Sequence, residues 1–254
     1  AGRTVVLLDR AGRIKPCGGA VPPRLIKDFE IPDELIVARV KAARMVSPTH
    51  KTVDMPVGEG FVGMVDRDVF DEWLRDRAAR SGAERRKGTF VSIERDPDGT
   101  AIVCYRTSRD GEIERIRTRL VIGADGAKSG VARQAIPGSD SVKYVFAYHE
   151  VIEAPAEDSE AYAARRADVI YEGELSPDFY SWVFPHGRHA SVGVGSADKG
   201  FALREAVAKL RARTGLDACR TVRHEGAPIP LKPMRRWDNG RDVVVVGDAA
   251  GVVA

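Results

Sequence analysis

Two short stretches of this 254-residue chain place an aspartate and glycines where a carboxylate can accept hydrogen bonds from ligand hydroxyls. Arg119 to Gly126 reads R-L-V-I-G-A-D-G, and Val243 to Gly251 reads V-V-V-V-G-D-A-A-G. In each, an apolar run rich in β-branched residues suits a buried strand. The glycine that follows lets backbone approach a ligand closely, and the aspartate can hold a ribose or ribityl hydroxyl through a charge-assisted bond. Either stretch alone is an ordinary turn, because Asp and Gly are common turn residues. A third acidic position, Asp9, closes the strand pattern Thr4 to Leu8 and is followed by Arg10. In a dinucleotide-binding βαβ unit, an acidic residue at the end of the second strand holds the adenosine ribose, about 20 residues after G-x-G-x-x-G. That glycine fingerprint is expected upstream of Ala1. The chain reads as a piece cut at both ends, and as such is expected to hold a dinucleotide poorly.

Three further groups carry chemistry. The loop Lys15 to Pro23, K-P-C-G-G-A-V-P-P, sets Cys17 beside Gly18 and Gly19. Its prolines fix the path and its glycines permit close approach. The Cys17 thiol can serve as a proton donor or steric gate, or simply as a small buried residue. Tyr180, Trp182 and Phe184 alternate and so share one strand face, with Pro185 expected to end the strand. They suit either an apolar channel or a core aromatic ladder. Arg67 opens the clearest helix, where the dipole disfavours a cation, which hints at an anionic partner. The five histidines show no metal spacing, and His186 and His189 read as exposed turn residues.

The elements that position these groups follow from periodicity. Asp66 to Ala83 is the clearest helix, with Phe70, Trp73, Leu74 and Ala78 on one face, Asp66 or Asp68 as N-cap and Gly82 as its end. Arg24 to Phe29 is a short helix and Val40 to Val57 a hairpin of irregular strands. Phe90 to Arg95 and Ala101 to Thr107 alternate around D-P-D-G, a hairpin turn, and Glu112 to Arg117 extends the meander. Val142 to Val151 alternates again, and Val169 to Glu172, Tyr180 to Phe184 and Ala190 to Gly195 form an antiparallel set. Ala154 to Arg166 is loop or short helix. Leu203 to Thr214 is amphipathic, with Leu203, Val207 and Leu210 on one stripe. A helix is expected to open at Ala249 to Gly251, its N-terminus facing a pyrophosphate.

Composition is that of a globular chain, 43% hydrophobic and 30% charged, with a net charge of only +3. No arginine-rich block, zinc spacing or aromatic RNA-binding pattern points to nucleic acid. Three scattered cysteines, Cys17, Cys104 and Cys219, fit a reducing compartment rather than a disulfide framework. No apolar run reaches the ~18 residues of a membrane span.

The D-G and G-D pair resembles that of FAD-dependent oxidoreductases related to aromatic hydroxylases. The Cys17 loop and Y-S-W-V-F-P followed by G-V-G (Gly193, Gly195) resemble the geranylgeranyl reductase family, and the wording around Cys17 and R-L-I-K-D-F-E-I-P its chlorophyll and bacteriochlorophyll branch. The resemblance implies a mixed α/β fold, an FAD-binding Rossmann-like domain (1–40, 63–137 and 240–254) interleaved with an antiparallel-sheet substrate domain (41–62 and 138–239). It implies FAD, recharged by NADPH, reducing isolated C=C bonds of a geranylgeranyl chain carried by a pigment or a diphosphate. It places Asp9, Arg10, Cys17, Gly18, Gly19, Arg67, Asp125, Gly126, Gly247, Asp248, Ala249 and Gly251 at FAD. Tyr180, Trp182, Phe184, Pro185 and Gly193 fall at the prenyl chain, with Cys17 the catalytic candidate and no metal. A cytoplasmic protein is expected, peripheral at the inner or photosynthetic membrane. Three other readings compete. An archaeal-type lipid reductase shares the family. A flavin monooxygenase or halogenase shares the scaffold but gives no reason for the Cys17 loop. A flavin-free prenyl-binding protein, as the GDP dissociation inhibitors are, has no use for the two Asp-Gly motifs.

Overall fold

A computed structural model describes residues 2–10, 14–156, 158–159 and 162–253. In chain order, β1 (Val5–Asp9), β2 (Ala20–Val21), α1 (Pro23–Asp28), β3 (Ile36–Val40), β4 (Ala42–Val46), β5 (Thr52–Pro56), β6 (Val62–Val65) and α2 (Arg67–Arg80) come first. There follow β7 (Ala83–Lys87), β8 (Thr89–Arg95), β9 (Ala101–Arg106), β10 (Ile113–Thr118), β11 (Val121–Gly123) and α3 (Gly130–Ala135). The remainder is β12 (Tyr144–Glu153), β13 (Arg166–Ile170), β14 (Ser181–His186), β15 (His189–Ser196), α4 (Leu203–Arg213), β16 (Thr221–Pro230) and β17 (Val243–Val245). The fold class is the expected mixture of helices and sheets. The chain divides into two compact units, one of Ala1–Arg13, Trp73–Tyr144 and Pro228–Ala254, the other of Ile14–Glu72 and Val145–Ala227.

In the first unit β1 pairs in parallel with β7, and β11 in parallel with β17. Strands β10, β9 and β8 form the antiparallel meander, turned by D-P-D-G with Gly99 at φ 82. The two apolar runs supply the buried core: Val121, Val243 and Val245 pack with Val131 and Ala132 of α3, with Ile136 just after it, and with Ala249 and Ala250. Strand β7 has no counterpart in the sequence pattern. Its residues, A-E-R-R-K, are largely exposed, and what holds them is backbone pairing to β1 plus surface ion pairs of Arg85 with Asp76 and Arg86 with Glu84. Such pairs contribute at most about 1 kcal/mol each, so the ladder dominates.

The start of β17 is tied to the meander by Asp242, which accepts both terminal nitrogens of Arg95 in a bidentate fork and a bond from Asn239 Nδ2 at 3.2 Å. The Arg95 bond above all, with Asn239 and the nearby Arg241, pulls the Asp242 carboxyl from 3.8 down to about 2, against the opposing effect of burial. A folded-state pKa below the unfolded one stabilises above the unfolded value and is lost on acidification. The contribution of Asp242 is therefore complete above pH 3.8 and fades as pH falls towards 2. Asp242→Asn is expected to lower the melting temperature at neutral pH and to flatten stability across that acid window, read from thermal melts at stepped pH.

The second unit is built on a seven-stranded sheet of order β16-β12-β15-β14-β13-β4-β5, with a three-stranded sheet β2-β6-β3 beside it in sequence. Helix α4 buries Ala206, Val207 and Leu210 against Val183, Val192, Val194, Ile152 and Ile170, all on one sheet face. Alternation therefore sends the neighbouring residues of β14, Trp182 and Phe184, to the opposite face. Arg211 of α4 is held by Glu150, and Arg213 by Glu172 and Glu174, so these cations serve internal ion pairs.

One expectation is corrected, and three segments gain detail. Pro185 does not end its strand: it pairs with Ala190, and β14 runs on to His186. Pairing of β13 with β14 stops at Val183, so at Pro185 one side has no ladder partner and a missing N–H costs nothing there. Strand β16 was hidden by its own prolines, which an edge strand tolerates. Helix α2 forms, but no residue of it is fully buried and Leu74 is 42% exposed, so its apolar face is only half covered. No helix appears between Ala154 and Arg166 among the described residues.

Candidate functional site

In the first unit the chain leaves β11 at Gly123 and turns through Ala124, Asp125 and Gly126. The Asp125 carboxylate accepts the Ser129 hydroxyl and the backbone N–H groups of Gly130 at 2.7 Å and Val131 at 3.2 Å. Ser129 Oγ in turn accepts Ala132 N–H at 2.8 Å. These are the first, otherwise unsatisfied donors of α3, so the two side chains cap the helix and fix the shape of the turn. Gly126 then stands at φ 86, with no atom within 4 Å of where a Cβ would lie. Gly247, at φ 57 on the companion turn, is equally open.

Asp248 and Ala249 line a cleft of about 300 Å³ with Ala127, Lys128, Arg133 and Tyr144. The Tyr144 hydroxyl donates to Ala127 O at 2.8 Å, and burial raises its phenol above the usual range. Gly247–Ala250 form a single 3-10 turn, followed by Gly251 at φ 76. A Cβ at Gly251 would stand 2.4 Å from the Lys232 carbonyl oxygen, so this close backbone crossing leaves room only for glycine. Asp9 lies elsewhere in the unit, at the end of β1, where Arg75 Nη2 donates to it at 3.2 Å; Arg10 beyond it is exposed.

In the second unit the aromatic residues do share a face. The Trp182 ring stacks on Phe184 at 6.1 Å and meets Tyr180 edge-on at 5.9 Å, while Tyr180 stacks on Phe179 at 4.1 Å. Trp182 is 6% exposed. Gly193 lies opposite it on β15, and a Cβ there would come within 2.2 Å of the indole and 2.6 Å of His149 Cβ. Gly18 approaches Phe184: its Cβ would lie 3.3 Å from the ring. Gly19, at φ 72, accepts Val65 N–H at 2.9 Å and donates its own N–H to Cys17 Sγ at 3.4 Å.

Arg67 is 19% exposed and paired with Asp71 at 2.6 Å. Burial works against its charge, but Cys17 and Asp71 beside it outweigh this and raise its pKa. The thiol of Cys17 is thus flanked by the Arg67 guanidinium and the Gly19 backbone N–H.

Sequence reasoning missed His186. It is no exposed turn residue: Nε2 bonds Asp66 Oδ1 at 2.8 Å, and its ring covers Gly19. The His186 bond is the main cause holding the Asp66 carboxyl below its ordinary range. Missed as well was a buried run of polar groups on the aromatic face, His149, Ser191 and Glu225. Their signal was parity: His149 and Ser191 fall on the same strand alternation as Gly193. No group of His, Cys, Asp or Glu among the described residues is arranged to hold a metal.

A family model described as an FAD binding domain matches residues 37–254. The chain belongs to this FAD-binding domain family. Open space over Gly126 and Gly247, with Lys128 and Arg133 beside Asp248, fits the phosphates and polyol of a flavin nucleotide. The resemblance to the geranylgeranyl reductases also holds. This FAD-binding domain is 56% identical over its whole length to the geranylgeranyl diphosphate reductase of Rhodobacter capsulatus, and spans 64% of that relative. It is 30% identical to the digeranylgeranylglycerophospholipid reductase of Methanocaldococcus jannaschii over 100% of this chain and 66% of the relative. Among solved structures, a geranylgeranyl bacteriochlorophyll reductase-like protein of Thermoplasma acidophilum superposes with a TM-score of 0.83 at 22% identity, over 98% of this chain and 66% of the other. No helix among the described residues is long and apolar enough to cross a membrane.

Proposed function

We propose that this domain serves FAD-dependent reduction of isolated C=C bonds in a geranylgeranyl chain, as the larger part of a geranylgeranyl reductase of (bacterio)chlorophyll synthesis. The observation that carries this reading is the 56% identity to the Rhodobacter enzyme along the entire chain, against 30% to the archaeal lipid reductase. Bound FAD supplies the hydride chemistry, replenished by NADPH; the protein supplies position, dryness and a proton. In the first unit Asp248 holds the ribityl chain and Lys128 and Arg133 face the phosphates. Asp125 acts by fixing the turn that presents Gly126, and Asp9 with Arg10 takes the adenosine ribose. In the second unit Tyr180, Trp182 and Phe184 form a wall for the isoprenoid, with Gly193 and Pro185 shaping it. Cys17, beside Arg67 and Gly19, supplies or gates the proton that must reach the carbon not taking the hydride. We assign the first unit to the cofactor and the second to the substrate, at the peripheral surface of a pigment-bearing membrane.

The Asp248→Ala change removes a charge-assisted bond of roughly 1.5–3 kcal/mol, so FAD affinity is expected to fall by about one to two decades. Titration of flavin fluorescence measures it. The activity is tested anaerobically, with NADPH and either a geranylgeranyl pigment or a geranylgeranylated glycerol lipid. Gain of hydrogen pairs on the pigment supports the proposal. Turnover of the lipid alone moves the assignment to the archaeal class, and oxygen incorporated into an aromatic substrate overturns it.

A further inference from the structure

Behind the aromatic wall lies a chain of polar groups that the reduction does not itself require. Trp182 Nε1 donates to Ser191 Oγ at 3.1 Å, Ser191 Oγ lies 2.9 Å from His149 Nδ1, and His149 Nε2 lies 3.2 Å from Glu225 Oε2. Arg223 Nε closes the chain at 2.6 Å from the other Glu225 oxygen. All sit within the second unit, on β14, β15, β12 and β16. His149 is 5% exposed and the Ser191 hydroxyl is buried.

With a neutral imidazole, one direction of hydrogen bonding serves Trp182, Ser191, His149 and Glu225. An indole N–H can only donate, so Ser191 Oγ accepts from Trp182. The Ser191 hydrogen then goes to His149 Nδ1, which leaves the imidazole hydrogen on Nε2, aimed at Glu225. Glu225 is fixed in turn: burial pushes its carboxyl up, and the His149 bond with the Arg223 charge outweighs that and holds it below the ordinary range.

Ser191, His149 and Glu225 have the composition of a nucleophile triad but not its chemistry. Ser191 has no access to a substrate, and its oxygen already accepts the indole. Nor is the chain simple core filling. Apolar residues of the same volume would commonly serve stability as well as a buried ion pair does. What the polar chain provides is direction, because a hydrogen bond to Nε1 defines the indole plane where packing alone leaves alternatives. Gly193 clears the space for this: without a Cβ, both Trp182 and His149 close over the strand.

We propose that His149 and Ser191 are positioning residues, which set the plane of Trp182 and thereby decide which stretch of an isoprenoid chain rests on the wall. This rests on the prenyl reductase reading above. An isolated alkene offers no polar handle, so its place along the channel is dictated by wall shape alone. A tilted indole shifts the register between the wall and the double bonds. Register errors then appear as the wrong set of reduced bonds.

The test compares His149→Phe, which keeps ring volume and loses both bonds, His149→Gln, which keeps a donor and an acceptor, and Ser191→Ala. Trp182 is read alone in a Trp73→Phe, Trp237→Phe background, with melting temperature checking the fold. In FAD-loaded protein, His149→Phe and Ser191→Ala are expected to split the single Trp182 fluorescence lifetime into several. They are also expected to lower kcat/KM on a geranylgeranyl substrate about tenfold, the equivalent of one buried hydrogen bond, with partially reduced chains accumulating. His149→Gln restores most of both. Unchanged lifetimes in the two disruptive variants overturn the brace, and altered lifetimes with an unchanged product pattern overturn its link to substrate register. The lifetime measurement uses no substrate. Failure of geranylgeraniol to perturb Trp182 emission in the Trp73→Phe, Trp237→Phe parent, with His149 and Ser191 intact, counts instead against the prenyl reading.

Discussion

Gly19→Ala is expected to lift the Cys17 loop from its seat and to reduce prenyl turnover by two decades or more. Two penalties coincide at this position. A φ of 72 costs a residue with a Cβ about 1–2 kcal/mol. The new methyl would also stand 2.5 Å from the Val65 carbonyl oxygen and 2.6 Å from His186 Cε1, an overpacking cost of about 1–3 kcal/mol. Against this the loop has little to hold it: the Val65 N–H to Gly19 O bond, of about 1 kcal/mol net, and the two-residue ladder of β2 on β6. The clash exceeds the anchor, so the loop should leave while the sheet survives. Misplacement by about 1 Å suffices for a hundredfold loss where geometry governs the rate. Thermolysin cleavage between Gly18 and Leu25, set beside the melting temperature, checks this. Rapid cleavage with a nearly native melt is the expected result, and a loop as resistant as the parent's would refute it.

The second large effect is expected at Gly193→Ala. Its backbone is ordinary strand, so the whole cost is steric. The neighbours, however, are a rigid indole at 2.2 and 2.5 Å and the His149 Cβ at 2.6 Å, none of which is the far end of a flexible side chain. Relief requires Trp182 to leave its rotamer, breaking its bond to Ser191 and its stack on Phe184. An overpacking penalty of about 1–3 kcal/mol and a lost buried hydrogen bond of about 1 kcal/mol together predict a melting temperature lower by several degrees. A blue-to-red shift of Trp182 emission should accompany it as the ring meets water. A variant that melts and emits like the parent would show that the sheet opens there without moving the tryptophan.

Legibility in the sequence followed the physics of each element. Apolar runs and alternation are local signals, and they found β1, β8 to β12, β14, β15, β17 and α4. The D-P-D-G turn was readable because only a few residue pairs tolerate its dihedral angles. Strand β7 was not readable, because its order comes from pairing to β1 while its side chains face water. Strand β16 was masked by prolines that an edge position permits. The candidate site divided in the same way. Asp125, Asp248, Gly193 and the aromatic strip were named from motifs, and the structure shows the neighbours that give each its geometry. Two features lay beyond any local pattern. The commitment of Asp125 to capping α3 depends on a backbone turn, and the bond of His186 to Asp66 joins two segments with no common motif. A histidine after F-P looks like surface until the strand is known to continue through Pro185.

The parallel pairing of β4 with β13 has a consequence for how this protein comes into being. Ala42 is matched with Arg166, and every residue between them must be synthesised before the match can form. At ~5–20 residues per second on the ribosome, the β4–β5 hairpin waits on the order of ten seconds with one edge unsatisfied. During that interval it is a hairpin of marginal stability with an open template for strange strands. Nascent chains interrupted before β13 emerges should therefore depend on chaperones, whereas those that have passed it should not.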